Sequence, residues 1–405
     1  MTAPRFLQIH TLTSYPGVLL NRDDAGLAKR LPYGGSTRIR VSSQCLKRHW
    51  RTAEDDEWGL ARIDAPRSVR SRELFELAIR PRLRERLPDA SDETLKAAGL
   101  ALTLALYGDK AEQVKSRQAL LLGWRELEFL TDAVESAVRG ADSPKAAAEA
   151  VATRFKPKDE KRNLVAIREL TGALAAGLEA GLFGRMVTSD PAANTDAAIH
   201  VAHAFTVHEQ ESETDYFTVV DDLKRDSDDA GSAGIFDSEL TSGLFYGYVV
   251  VDVPLLVANL TGEPIERWGA EGTDRALPAR VVEHLLHLVA TVSPGAKKGS
   301  TAPYAWTQSM LVEVGTRQPR TLATAFERAV RASSSQSMSD AAEAALFERL
   351  AAFDRAYGAR EARAFLSVAG GERANARGPL ALDALAEWAA ACVAEARMPD
   401  TAPRS

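Results

Sequence analysis

The residues with most chemical potential lie between Arg22 and Arg51, where eight basic side chains stand against two acidic ones. Gly34-Gly35 permits a tight turn or a close backbone approach. Side chains alternate along a strand, so Arg38 and Arg40 fall on one face. Ser42-Ser43-Gln44 reads as a helix start, where free N–H groups favour anions. Lys47 and Arg51 are four apart and share a helical face, with Arg48 beside them. Cations on the first turns of a helix oppose its dipole, and an anionic ligand would remove that penalty. The chemistry expected is contact with phosphate or nucleic acid. A solvated, charged strand-helix corner is the plain alternative, and spacing alone leaves both open.

Other motifs are weaker. Pro294 to Thr301 is a basic, glycine-bearing loop with Lys297 and Lys298. It lacks the G-x-x-x-x-G-K-[ST] spacing, which excludes an NTPase phosphate loop. His200 with His203, and His284 with His287, are i,i+3 pairs without H-E-x-x-H or further ligands at metal spacing, so they read as core or surface histidines. G-x-S-x-G and C-x-x-C are absent. Asp23 and Asp24 could hold a metal for phosphodiester cleavage, although loop acids commonly cap turns. Met186 and Phe217, on extended segments, are candidates for apolar wedges that unstack bases, with ordinary packing as the alternative. Arg154, Lys156, Lys158, Lys161 and Arg162 form a basic cluster, either a DNA contact or a solvated linker.

These residues need elements to position them. Phe6 to Leu12 and Arg38 to Val41 read as strands, with a helix from Ser42 that carries Leu46 and Trp50. From about Ser68 to Phe183 the period is helical, including Leu95 to Leu106 after a Ser91 cap and an amphipathic stretch from Gln118 to Val138. From Ile199 the pattern turns to β, with Tyr216 to Val220, Leu244 to Val253 and Met310 to Val314 as strands. Asp226 to Gly234 reads as a loop, Val281 to Val292 as a helix, and the Ala-rich residues after Thr321 as helical. Strands at both ends with helices between give an α+β chain with a discontinuous sheet domain.

Composition agrees with a chain that folds around a core, at 45% hydrophobic and 26% charged over 405 residues. No stretch approaches the ~20 apolar residues of a membrane span. The N-terminus lacks a secretory pattern, and two distant cysteines, Cys45 and Cys392, suit a reducing cytoplasm. The net charge of −6 hides a segregation, because Glu209 to Glu239 carries eleven acidic and two basic residues. Such a chain can keep one dedicated anion-binding face.

The motifs carry a resemblance as an ordered set. They are Ile9-His10, Leu20 to Asp24 (Leu-Asn-Arg-Asp-Asp), Gly-Gly before R-x-R, and Ser42 to Arg48 (Ser-Ser-Gln-x-Leu-Lys-Arg). Then come Gly184 to Ser189 (Gly-Arg-Met-x-Thr-Ser), Ala198 to Ala204 (Ala-x-x-x-Ala-His-Ala), Tyr216 to Leu223, Ser242 to Tyr246 and Pro294 to Lys297. Together they resemble the CasC-type backbone subunit of the type I-E CRISPR surveillance complex, Cascade. The resemblance runs from the N-terminus to about Val330.

It implies an RRM-like (ferredoxin-like) palm with an inserted helical fingers domain and an extended β-hairpin thumb. The palm would take residues 1–67 and 184–330, the fingers 68–183, and the thumb about 200–236, with a C-terminal helical segment at 331–405. It implies a non-catalytic antiviral-defence protein, without metal or cofactor, that polymerises along the spacer of a CRISPR RNA and presents it to target DNA. Arg22, Lys29, Arg40, Ser42, Gln44, Lys47 and Arg51 match the RNA-facing motif. Arg38, Arg48, Lys297 and Lys298 join them as candidate RNA contacts. Met186 and Phe217 match the base-displacing wedge, and Lys156, Lys158, Lys161 and Arg162 are candidate DNA contacts. The implied partners are further copies in a helical filament, other Cascade subunits and a recruited helicase-nuclease, with no membrane. The alternative is a metal-dependent endoribonuclease like type III backbone subunits, with Asp23 in the catalytic loop.

Overall fold

The structure is a computed structural model and describes residues 3–155, 172–187, 191–218, 235–296, 298–373 and 375–398, excluding the side chains of 217–218 and 235–236. Lys156, Lys158, Lys161, Arg162 and Lys297 lie outside the described residues, as does the side chain of Phe217. The loop expected at Asp226 to Gly234 also lies outside them. The chain divides into two compact units. One comprises Met1–Arg62, His200–Asp252 and Ala276–Ser405, and the other Ile63–Ile199 and Val253–Arg275. Among the described residues no helix is long and apolar enough to cross a membrane.

The second unit is mainly helical. Helices Asp92–Tyr107, Trp124–Arg139 and Pro144–Arg154 pack through Leu95, Leu102, Leu127, Leu130, Val134 and Val151. Ser91 caps the first of these by accepting from Thr94 N–H, as its sequence predicts. Strands are numbered along the whole chain, and β4 (Ser68–Ser71) and β5 (Leu120–Gly123) pair antiparallel in this unit. The stretch expected to be helical from Gln118 therefore begins as a strand. Its residues Leu120, Leu121 and Leu122 are all buried, a run that periodicity cannot assign to helix or strand.

The remaining strands form the first unit's sheet. They are β1 (Phe6–Val18), β2 (Arg30–Tyr33), β3 (Ser36–Val41), β6 (Ile199–Val201), β7 (Ala204–Thr206), β8 (Glu211–Thr218), β9 (Ile235–Asp252), β10 (Ser309–Gly315) and β11 (Ala362–Ser367). Among the described residues the order is β11-β10-β1-β9-β7-β3-β2, with β6 and β8 also paired to β9. The pairs β1–β10, β1–β9, β10–β11 and β3–β7 are antiparallel. β11 corrects the expectation that everything after Thr321 is helical. Its Ala362, Arg363, Ala364 and Phe365 are buried as an added edge on β10, a placement set by long-range pairing rather than by the local Ala bias.

Helices cover both faces of the central strands, which is why β1 is buried nearly throughout rather than alternately. On one face Leu12, Leu311 and Phe365 pack with Leu346 and Leu350 of helix Met338–Tyr357. On the other, Val289 of helix Ala276–Thr291 lines a crevice with Thr11 and Val249. The first face also buries charge. The Glu313 carboxylate accepts from both guanidinium Nη atoms of Arg320 (2.6 and 2.9 Å), from Arg363 Nε (2.8 Å) and from His10 Nε2 (3.1 Å). Arg363 also bonds both carboxylate oxygens of Asp354 at 2.6 and 2.7 Å. Burial alone would push the Glu313 carboxyl up, but the hydrogen bonds from His10 and Arg320 hold it well below the ordinary range.

Candidate nucleic-acid interface

The cationic corner is built from three local structures. The first is the β2–β3 hairpin, whose turn residues Gly34 and Gly35 take φ of +60° and +79°. A Cβ at Gly34 would lie 1.5 Å from the Glu327 carbonyl oxygen, so this position needs glycine for both conformation and space. The second is the loop Asn21–Ala28, closed by a bridge between Arg22 and Ala28. Asp23 Oδ1 accepts from Ala25 N–H (3.0 Å) and Leu27 N–H (2.9 Å), so this carboxylate organises the turn that projects Arg22. The third is α1 (Ser43–Arg51), with Ser42 Oγ as the N-cap acceptor from Cys45 N–H.

Asn21 joins the pieces. Its side-chain oxygen accepts from Ser42 N–H at 2.9 Å, and its carbonyl accepts from Lys29 N–H at 3.0 Å. Arg40 N–H in turn donates to Lys29 O at 2.8 Å. Ser43 N–H, at the start of α1, donates to His203 Nδ1 at 3.2 Å, and Arg40 Nη1 lies 3.4 Å from the same nitrogen. Partial burial, then the charges of Arg40 and Lys29, push the His203 pKa below its ordinary value. His203 therefore serves as a neutral acceptor here and gives the corner no charge. The first turn of α1 has no acidic residue. The N-terminal end of α1 thus sits beside Arg40 and Lys29, with Gln44 exposed.

Two expectations change. Arg38 and Arg40 do share a face of β3, but Arg38 is fully buried under the segment that follows β10. Its guanidinium donates to the carbonyls of Tyr33 (3.4 Å), Thr206 (3.2 Å), Phe326 (3.0 Å) and Glu327 (3.4 Å). Arg38 is therefore a clamp inside the unit and cannot meet a ligand in this conformation. Second, α1 ends at Arg51, which places Arg48 and Arg51 in its last turn. There the dipole favours cations, so those two charges need no ligand to explain them. The cations beside the anion-attracting end come instead from β3 and the preceding loop.

The other candidates fall as follows. Arg22 and Arg48 are exposed, Lys29, Arg40, Lys47 and Arg51 half-buried, and Ser42 buried as a cap. Arg30, which the sequence had not singled out, is neutralised by Glu239, whose other oxygen accepts from Ala28 N–H at 2.6 Å. A recess of about 450 Å³ lies here, with Arg22 and Arg30 facing Asp237 and Glu239. Lys298 is exposed on a one-turn helix, Lys298–Thr301, rather than in a plain loop. Phe217 lies in β8 opposite Phe236 of β9, in the hairpin these strands form. Met186, in the helical unit, is 63% exposed. It follows Arg185, whose guanidinium pairs with Glu126 at 2.7 Å in a buried contact, and its own carbonyl accepts from Gln118 Nε2 at 2.9 Å.

The histidine pairs do not converge on a metal. His284 and His287 pack on Trp58, the latter ring stacked at 3.6 Å, and among the described residues no three His, Cys, Asp or Glu group as ligands. His203 and Asn21 were missed as parts of the corner. Both lie in motifs that stand out in order along the chain, but their partners are far away in sequence.

Among solved structures, the chain is similar to a chain of a "CRISPR RNA-guided surveillance complex, pre-nicking". The two share 25% identity with a TM-score of 0.70, over 96% of this chain and 100% of that one. A chain of another "CRISPR RNA-guided surveillance complex", 21% identical with a TM-score of 0.55, covers 95% of this chain and 98% of its own, and shares the fold. Among curated proteins none matches. The family model described as CT1975-like protein, a Cas family, matches residues 7–391, and the chain therefore belongs to the CT1975-like family.

Proposed function

We propose that this chain is a CRISPR RNA-binding backbone subunit of a Cascade-type surveillance complex, of the CasC kind found in type I-E systems. The observation that carries the reading is the corner at the start of α1, where Arg40 and Lys29 stand beside a helix whose first turn carries no acidic residue, with Arg22 exposed on the adjoining loop. Family membership and the likeness to surveillance-complex chains support it. In this reading the sheet unit is the RRM-like palm, the helical unit the fingers and the β8–β9 hairpin the thumb. Phosphates of the guide seat against α1, Arg22, Arg40 and Lys47. Such contacts hold the backbone and leave base edges free, so pairing with target DNA supplies the sequence reading.

Copies repeat head to tail along the guide, a heterologous contact that makes an open filament. Met186 and Phe217 interrupt the base stack at intervals. The segment with Lys156, Lys158, Lys161 and Arg162 supplies cations for the target duplex. Other subunits complete the particle, and a recruited helicase-nuclease cuts the DNA. A particle of repeating mass that copurifies with RNA is the expected result, and a lone monomer free of RNA contradicts it.

The subunit is proposed to be non-catalytic. Asp23 Oδ1 is engaged by two backbone N–H groups, which suits turn closure better than metal binding. Guide-loaded assemblies incubated with matched RNA and Mg²⁺ should leave the RNA intact. Periodic cleavage that disappears in Asp23→Ala would establish the endoribonuclease reading instead.

A further inference from the structure

The segment after the one-turn helix Lys298–Thr301 is pinned along its length. Ala302 N–H donates to Lys298 O at 3.0 Å. Ala302 takes a φ of +40°, in the left-handed region that a residue with a Cβ adopts only under restraint. Ser293 Oγ accepts from Ala305 N–H and donates to Ala305 O, each at 2.9 Å. Thr307 N–H donates to Ala290 O at 2.8 Å, and its hydroxyl bonds that of Thr13 at 3.0 Å. Pro303 and Thr307 are buried, while Tyr304 and Trp306, the alternate residues, are 73% and 75% exposed. The backbone thus gives up its freedom while leaving two large aromatic rings in water. Large apolar side chains displayed together in this way mark a binding surface.

Their position says what they would bind. Ala305, between them, packs on the cluster that contains Leu19 and Leu20, against which Leu46 of α1 also packs. Ala296 N–H donates to Leu19 O at 2.9 Å, just before the Arg22 loop. Lys298 is exposed at the head of the segment. The rings are therefore rooted on the same cluster as the cationic corner, which offers charge to a polyanion.

We propose that Tyr304 and Trp306 form a platform on which bases of single-stranded RNA stack while the corner holds its phosphates. The proposal rests on the RNA-binding reading above and adds a second kind of contact to it. Stacking uses the flat face of a base, so it tolerates any sequence and leaves the pairing edge free. A second copy of the chain would bury the rings equally well, but it would not by itself account for exposed Lys298 and for the cationic corner rooted on the same cluster.

The test compares binding of the purified full chain to an oligouridylate and to an abasic ribose-phosphate oligomer of the same length. Tyr304→Ala and Trp306→Ala should each weaken oligouridylate binding by roughly ten-fold. Affinity for the abasic oligomer should not change, and Trp306→Phe should retain most of the binding. Lys47→Ala, by contrast, should weaken both. Unchanged oligouridylate affinity in the alanine variants, or an equal loss on both oligomers, overturns the platform and leaves RNA binding standing. Variants that keep RNA affinity but lose self-association in sedimentation would also overturn it and assign the rings to a contact between copies. A wild-type chain that binds neither oligomer removes the RNA-binding reading and the platform together.

Discussion

Two charge clusters in the sheet unit invite comparison. Around Glu313, the carboxylates and guanidinium groups are buried and matched, with Arg363 bonded to both Glu313 and Asp354. Around α1, cations outnumber acids. Asp23 is spent on its own turn, and Glu239 neutralises Arg30 rather than Lys29 or Arg40. Neither cluster can be ranked by counting charges. A buried charge whose partners are all internal specifies the packing of strands and helix. A surface excess of one sign leaves an electrostatic demand that a ligand can meet. Arg38 and Arg40 condense the contrast, because two residues on one strand face serve the two roles.

The largest expected effect lies in the buried cluster. Glu313→Ala removes the buried acceptor shared by Arg320, Arg363 and His10, leaving Arg363 only its acids at Asp354 and Glu361, and should cost about 3–5 kcal/mol of stability, read as a lower denaturant midpoint. If instead stability holds while RNA affinity falls, the two clusters are not functionally separate. The pH arm follows from His10. Burial first of all keeps its pKa below 6.5, so below that pH the unfolded chain takes up a proton that the folded chain refuses. Stability should fall as pH drops from 7 towards 5.5, with His203 and His287, depressed for the same leading reason, adding to the slope. His10→Gln should flatten it. Glu313 acts further down: its contribution is whole above the ordinary carboxyl pKa and is lost progressively as pH falls below it towards the depressed folded value.

The next test sets Arg38 against the surface cations. Arg38→Ala leaves four carbonyls without their donor and should destabilise the unit by about 1–3 kcal/mol, with no change in the salt dependence of RNA binding. Lys47→Ala or Arg51→Ala should do the reverse. Each should lower affinity for guide RNA whatever the spacer and reduce the log–log salt slope by ~0.7, with a smaller effect on melting than Arg38→Ala. A loss confined to particular spacers would contradict backbone binding.

The smallest effect concerns the wedge. Base–aromatic contacts contribute roughly 1–3 kcal/mol, while unstacking costs a few kcal/mol per step, so the balance is near zero. Phe217→Ala with Met186→Ala should leave assembly intact but blur the periodic reactivity of unpaired guide bases to chemical probes. Wild-type periodicity in the double variant would remove both residues from that role.

Local chemistry is what the sequence by itself determined. The Ser42 and Ser91 caps and the Gly34-Gly35 turn follow from groups a few residues apart, and the strands at Phe6, Arg38 and Leu244 are legible in their local β-branched and aromatic pattern. The concentration of cations between Arg22 and Arg51 is equally plain in the chain. Tertiary structure alone decided which of those cations face water. Whether Arg38 is buried depends on Phe326 and Glu327, nearly three hundred residues on. The neutral acceptor at the start of α1 comes from His203, and the charge that removes Arg30 from the surface comes from Glu239. β11 and the Glu313 cluster arise from strand pairing across the whole chain. The physical reason is the range of the interactions. Caps and turns are satisfied within one or two turns of backbone, whereas the fate of a charge is set by whatever the fold brings beside it.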